Sequence, residues 1–175
     1  CVGCAGPGVT GEMTSMGTTA KTPLLTFAQL VNAALPQIQE LMPWDVDALR
    51  KANPALLIVD IREADEYAAG HIQGSLPVPR GILEASCDWG YSDTVPALAQ
   101  ARLQPVVLVC RSGNRTALAA LTLQQMGYAQ VFSMKTGVRG WNDYELPLVN
   151  MQGEQVDIDL ADDTLNPPVL PAQML

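Results

Sequence analysis

The sequence has a single histidine, His71, four cysteines, 5% aromatic residues and 16% charged residues. No apolar run approaches the roughly 20 residues that cross a bilayer as a helix. No second Cys pair and no His pair exists to complete Cys1-x-x-Cys4 into a four-ligand zinc site, and no strand pattern precedes it as in redox motifs. A Lys/Arg-rich run is also missing, with 10 Lys plus Arg against 18 Asp plus Glu and a formal charge of -8. That balance excludes nucleic acid as a partner, because such binding draws its affinity from cations meeting phosphates. It equally argues against electrostatic attachment to an anionic membrane surface.

Basic residues are absent altogether from residues 145–175, which carry Glu145, Glu154, Asp157, Asp159, Asp162 and Asp163. Residues 1–144 hold 12 acids and 10 bases, so the acidity belongs mostly to the C-terminal stretch. What is present in quantity is apolar: 48% hydrophobic residues over 175 positions compose a globular chain long enough to bury one real core.

Three segments are expected. Residues 1–23 are Gly/Thr/Ser-rich and read as a flexible tether. Beginning with Cys1, that segment resembles a bacterial lipoprotein after signal-peptide removal, which implies a lipid on Cys1 and a periplasmic, membrane-anchored domain. The alternative is a fragment boundary and a cytoplasmic protein. Residues 24–149 form the folded domain. Residues 150–175, with Pro167-Pro168 and Pro171, show no helical or strand period and read as an acidic tail on the surface.

Within the domain, Leu24, Phe27, Leu30, Val31, Ala34, Leu35, Ile38 and Leu41 recur at three- and four-residue spacing, one buried stripe of a helix that Pro36 kinks or splits. Leu56–Val59 and Val106–Val109 are short, largely β-branched runs suited to strands covered on both faces. Glu63–Ala69 and residues 115–126 read as helices ended by Gly70 and Gly127, and Val131-Phe132 as a third strand. Strands alternating with helices predict a single α/β domain, an open parallel sheet with helices on both faces.

One loop carries chemistry. Between the second strand and its helix stands Cys110-Arg111-Ser112-Gly113-Asn114-Arg115, at the carboxyl end of a strand where open α/β sheets bind ligands. A sulfur there meets the unpaired N–H groups and positive dipole end of the following helix, which favour its thiolate form. Arg111 and Arg115 add fixed positive charge, and small Ser112 and Gly113 let the backbone curl its N–H groups around an anion. A Cys ending a strand is commonly a buried structural residue. Burying two arginines uncompensated beside an apolar thiol would be costly, which favours a nucleophile in a cationic cradle.

These residues resemble the rhodanese family of sulfurtransferases. Asp60-Ile61-Arg62-Glu63, Glu66-Tyr67 and Gly70-His71-Ile72-x-Gly74-Ser75 are similar to the family's first signature, continued by Leu76–Gly81. Cys110–Arg115 is similar to its six-residue active-site loop, and Thr136-Gly137-Val138-Arg139-Gly140-Trp141 to its closing motif. The resemblance spans about residues 43–147. It implies a rhodanese-like fold and a two-step reaction: Cys110 takes sulfane sulfur from an anionic donor such as thiosulfate, and cyanide or a thiol removes it. Arg111, Ser112, Gly113, Asn114 and Arg115 would bind the donor, with no metal and no organic cofactor. It also implies that Asp60 and Arg62 form a structural ion pair and that His71 supports the structure rather than acting as a base. Lys135 and Arg139 are placed either at the pocket rim or in solvent. Cys87 is expected as an idle buried thiol, with a resolving partner for Cys110 as the alternative. Trp44 and Trp141 are expected in the core.

Two other functions compete. Cysteine phosphatases and arsenate reductases use Cys-x5-Arg, whereas here the sixth residue after Cys110 is Thr116 and the arginine comes at the fifth. The second is a non-catalytic carrier or binding module that delivers persulfide or polysulfide sulfur to a protein partner.

Overall fold

The computed structural model describes residues 23–175, so residues 1–22, with Cys1 and Cys4 of the expected tether, lie outside the described residues. In chain order the elements are α1 (Phe27–Ala34), β1 (Gln39–Leu41), α2 (Pro43–Ala52), β2 (Leu57–Asp60), α3 (Ala64–Ala69), β3 (Leu76–Pro77), α4 (Leu83–Ser86), α5 (Pro96–Ala99), β4 (Pro105–Val109), α6 (Asn114–Gln125), β5 (Gln130–Met134), α7 (Gly137–Asp143) and α8 (Ile158–Leu165). Among them no helix is long and apolar enough to cross a membrane.

The strands form one sheet in the order β1-β5-β4-β2-β3, every pair parallel. Parallel strands buried on both sides need apolar residues at every position, and Val106 to Val109 are all fully buried. Their side chains alternate between two cores. Val106 and Leu108 pack with Leu83, Leu98, Ala119 and Leu123, while Val107 and Val109 pack with Val46, Val138, Trp141 and Leu148. Helices therefore cover both faces, as expected for the open α/β sheet.

Chain order reverses between β2 and β4: β3 lies on one side of β2, and β4 and β5 on the other. A crevice opens at such a switch point beyond the strands' carboxyl ends. β2 delivers Asp60 there and β4 delivers Cys110. Their ends are stitched by Ile61 N–H donating to the Val109 carbonyl at 2.9 Å.

Three expectations change. The stripe from Leu24 to Leu41 is not one helix. Capped by Thr26, α1 stops at Ala34 before a 3-10 turn over Leu35–Gln37, and Leu41 belongs to β1. Pro36 has no N–H for a continuing helix, so it ends the element rather than kinking it. Only Val31 and Ala34 of the stripe's helical part are buried, while Leu24, Phe27 and Leu30 stay exposed. The C-terminal stretch contains a helix, α8. Asp157 caps it, accepting from Asp159 and Leu160 N–H, and Ala161 and Leu165 enter the core with Trp141 and Leu148. Its i, i+4 pair is too short a period to stand out among acids and prolines. Finally, Trp141 is fully buried, but Trp44 is 40% exposed and packs on Tyr144 with ring centroids 4.3 Å apart.

Candidate active site

β4 ends at Val109 and α6 begins at Asn114, so Cys110–Gly113 must turn the chain in four residues. Gly113 makes the turn with φ of 89°. A side chain there would be strained and would press on the Met134 carbonyl and Thr136 N–H at 3.2 Å. The turn aims Gly113 N–H at the Cys110 sulfur, 3.2 Å away. The sulfur also lies 3.6 Å from Thr116 Oγ1. Thr116 donates to the Gly113 carbonyl at 3.0 Å and accepts from Ser133 Oγ at 2.8 Å. Cys110 is thus held by the first turn of α6 and, through Thr116 and Ser133, by β5.

The closing motif supports the loop from behind. Val138 and Arg139 N–H donate to the carbonyls of Cys110 and Arg111, at 2.8 and 3.0 Å. Gly137, with φ of 62°, passes so close that a Cβ would collide with those same carbonyls. The motif of residues 136–141 is therefore a backbone clamp on the loop, anchored by buried Trp141, whose Nε1 donates to the Pro147 carbonyl at 3.0 Å.

Cys110 itself has no exposed area. Beside the loop lie three shallow clefts that share Ser112. The largest, about 420 Å³, is bordered by Phe27, Glu66, Arg111, Ser112, Asn114 and Arg115. A second, about 230 Å³, includes Glu40, Lys135 and Arg139. The third, about 160 Å³, lies between Arg111, Ser112 and Arg139 on one side and Leu165, Asn166 and Pro167 on the other. Lys135 and Arg139 border these clefts and are also exposed, so both placements expected for them hold together.

The two loop arginines differ. Arg115 is locked in a two-pronged pair with Glu66, Nη1 and Nη2 each 2.8 Å from a carboxylate oxygen. The Arg115 hydrogen bonds hold the Glu66 carboxyl down at about 2, against an ordinary 4.5. Arg115 therefore borders the cleft with its charge already neutralised, which the loop pattern alone did not disclose. Arg111 has no carboxylate within salt-bridge distance among the described residues.

Asp60 and Arg62 pair as the resemblance implied. Arg62 Nη2 lies 2.7 Å from Asp60 Oδ2 with the side chains 2% and 0% exposed, and it also donates to the Gly70 carbonyl at 2.8 Å. His71 stacks on Tyr67 at 3.8 Å, with Nδ1 3.0 Å from the Tyr67 carbonyl, so Nδ1 carries the proton and donates. Its backbone bridges Val149 in both directions. Cys87 is fully buried, and burial pushes its thiol above the usual range.

Thr116, Ser133 and Glu66 are site residues that sequence reasoning missed. Thr116 had a signal: a hydroxyl in the first helical turn, where side chains turn back on the preceding loop. Glu66 also had one, an acid in the first turn of α3 whose carboxylate caps Glu63 N–H at 3.1 Å. Ser133 had none, since only the fold brings β5 under the loop.

The model of the family described as the rhodanese-like domain matches residues 43–144, more than half of the chain. The chain belongs to the rhodanese-like domain family. It is 36% identical over 93 residues to the uncharacterized protein YibN of Escherichia coli K12, covering 53% of this chain and 60% of that protein. It is 32% identical over 98 residues to a sulfurtransferase of Allochromatium vinosum, covering 56% and 82%. Among solved structures it resembles RPA3614 of Rhodopseudomonas palustris, a protein of unknown function described as a possible tyrosine phosphatase. The TM-score is 0.64 at 31% identity, over 73% of this chain and 97% of that one. It also resembles the polysulfide-sulfur transferase homodimer of Wolinella succinogenes, with a TM-score of 0.56 at 29% identity over 71% and 87%. In this rhodanese-like domain, α1, β1 and α8 lie outside the matched span, yet Phe27, Glu40 and Leu165 from those elements all border the clefts around Cys110.

Proposed function

We propose that this protein is a sulfurtransferase that moves sulfane sulfur from an anionic donor such as thiosulfate, through a persulfide on Cys110, to cyanide or a thiol. The observation that carries the reading is the Gly113 N–H 3.2 Å from the Cys110 sulfur, beside Arg111, which has no acid partner among the described residues. In the first step the Cys110 thiolate attacks the outer sulfur of thiosulfate. The Cys110 Sγ–S bond forms, the bond to the SO3 group breaks, and sulfite leaves with the electron pair. In the second step the acceptor attacks that outer sulfur and Cys110 departs again as thiolate. Both steps move negative charge at a sulfur already facing a fixed N–H donor, which is where such a donor lowers a barrier. Arg111 would draw the dianionic donor to the loop. The resemblance to proteins named as sulfurtransferases supports this reading.

The deciding experiment is thiocyanate formation from thiosulfate and cyanide, with a mass spectrum of the protein after thiosulfate alone. Added sulfur on Cys110 and steady turnover are expected, both lost in Cys110→Ser. Loading without turnover on any small acceptor would favour the carrier function instead. The phosphatase alternative predicts hydrolysis of an aryl phosphate. A loop with Thr116 where those enzymes place arginine is expected to give none, and turnover at enzyme-like rates would overturn that argument. Cys1 remains proposed as a lipid attachment site in a periplasmic protein, tested by intact mass of protein extracted from membranes.

A further inference from the structure

Nine of the chain's lysines and arginines fall among the described residues, and six of them lie in ion pairs. The three that do not are Arg111, Lys135 and Arg139, and all three border the clefts around the Cys110 loop. In a protein of net charge -8, the cations unpaired among the described residues are gathered at one place. The clefts are not equivalent. The one that holds Lys135 also holds Glu40, whose charge offsets the field. The cleft between Arg111 and Arg139 is bordered by no acid. Its far wall is the end of α8 and the residues after it, where Asn166 Nδ2 already donates to Asp162 Oδ1 at 2.7 Å. Two guanidinium-bearing residues facing an acid-free cleft await an anion.

We propose that the cleft between Arg111 and Arg139, closed by Leu165, Asn166 and Pro167, is a second anion subsite. It takes the carboxylate of a small organic thiol that accepts sulfur from Cys110. The proposal rests on the sulfur-transfer reading and names its acceptor class. At about 160 Å³ the cleft is smaller than the ~300 Å³ that usually encloses a whole drug-sized ligand, which suits one ionised end of the acceptor. Ser112 borders this cleft and stands two residues after Cys110 in the same loop, so the carboxylate would be held beside the loop that carries the reacting sulfur. The thiol sulfur bonds to the outer sulfur of the Cys110 persulfide anion and the Sγ–S bond breaks. Cys110 keeps the electron pair as thiolate, and the thiol proton ends on the product persulfide. No oxidant or reductant is consumed.

The test pairs 3-mercaptopropionate with 3-mercapto-1-propanol, which differ in the remote charge, as acceptors for full-length protein loaded with sulfur by thiosulfate. Wild type is expected to favour the carboxylate thiol through a lower KM. Arg139→Gln should shrink that preference on the order of tenfold, and Arg139→Lys should restore part of it. The Arg139 side chain is exposed and only its backbone N–H braces the loop, so the substitution should leave the fold intact. Equal use of both thiols by wild type, or an unchanged preference in Arg139→Gln, would overturn the subsite. Binding of 3-(methylthio)propionate, which cannot accept sulfur, reads the subsite separately by calorimetry. Weaker binding to Arg139→Gln supports the subsite, and equal binding overturns it, whether or not Cys110 loads. Failure of Cys110 to gain sulfur would instead remove the sulfur-transfer reading.

Discussion

The carboxyl ends of β2 and β4 lie side by side, and each carries a reactive-looking group followed by arginine. β2 ends in Asp60 with Arg62 two residues on; β4 is followed by Cys110 with Arg111 next to it. At the β2 end everything is spent. Asp60 accepts from Arg62 Nε, Nη2 and backbone N–H, the remaining reach of Arg62 goes to the Gly70 carbonyl, and no surface is left. At the β4 end the backbone is equally fixed, but among the described residues Arg111 and Arg139 form no ion pair. The same residue types make a brace when the chain satisfies them internally and a binding rim when it does not. Burial decides between the two, because a charge out of water must find its partner within the protein.

The largest expected effect breaks the closed end. Asp60→Ala leaves the Arg62 guanidinium buried without its counter-ion and should destabilise the fold by ~3–5 kcal/mol in a denaturant titration. A loss under about 1 kcal/mol would show that Arg62 can escape to solvent and that this end is not closed. Next in size is Thr116→Val, which removes the hydroxyl joining Ser133 to the loop. It leaves a buried Ser133 donor without its acceptor, for a cost of roughly 1–3 kcal/mol. Unchanged stability would mean that Ser133 finds another partner.

At the open end the arginines should separate. Arg111→Gln is expected to move stability by no more than about 0.5 kcal/mol while raising the donor KM about tenfold. Arg115→Gln should do the reverse, loosening the tie between α3 and α6 with a smaller change in KM. Equal KM effects from the two would erase the distinction drawn from the Glu66 pair. The smallest effect is in acid. Glu66 titrates at about 2 when folded, against 4.5 ordinarily, first because of the Arg115 hydrogen bonds. A lowered folded value contributes stability that is complete above about pH 4.5 and is lost as pH falls toward 2. Glu66→Gln should therefore flatten that part of the stability–pH profile, and high salt should shrink the difference because the pair is partly exposed.

The site was unevenly legible. Cys110 and its loop could be read because the donor that meets the sulfur, Gly113 N–H, comes from only three residues further on. The pairing of Asp60 with Arg62 was implied by the family resemblance rather than by spacing. Glu66 and Arg115 are 49 positions apart, and no spacing rule could couple them. The helix at residues 158–165 escaped notice because only two of its residues are buried. The expected helix beyond Ala34 failed because the chain leaves it to pair β1 with β5, an alternative that local periodicity does not represent.

By itself the sequence determined the alternating α/β order, the strand runs that demanded cover on both faces, and a cysteine placed at a strand-to-helix turn. These follow from local periodicity and from the geometry of a few consecutive residues. The tertiary structure decided which charges stay free. Arg115 met Glu66 and Arg62 met Asp60, while Arg111 and Arg139 met no acid among the described residues and were walled by the returning end of α8. Whether a charge is neutralised depends on neighbours that only folding brings within ion-pair distance.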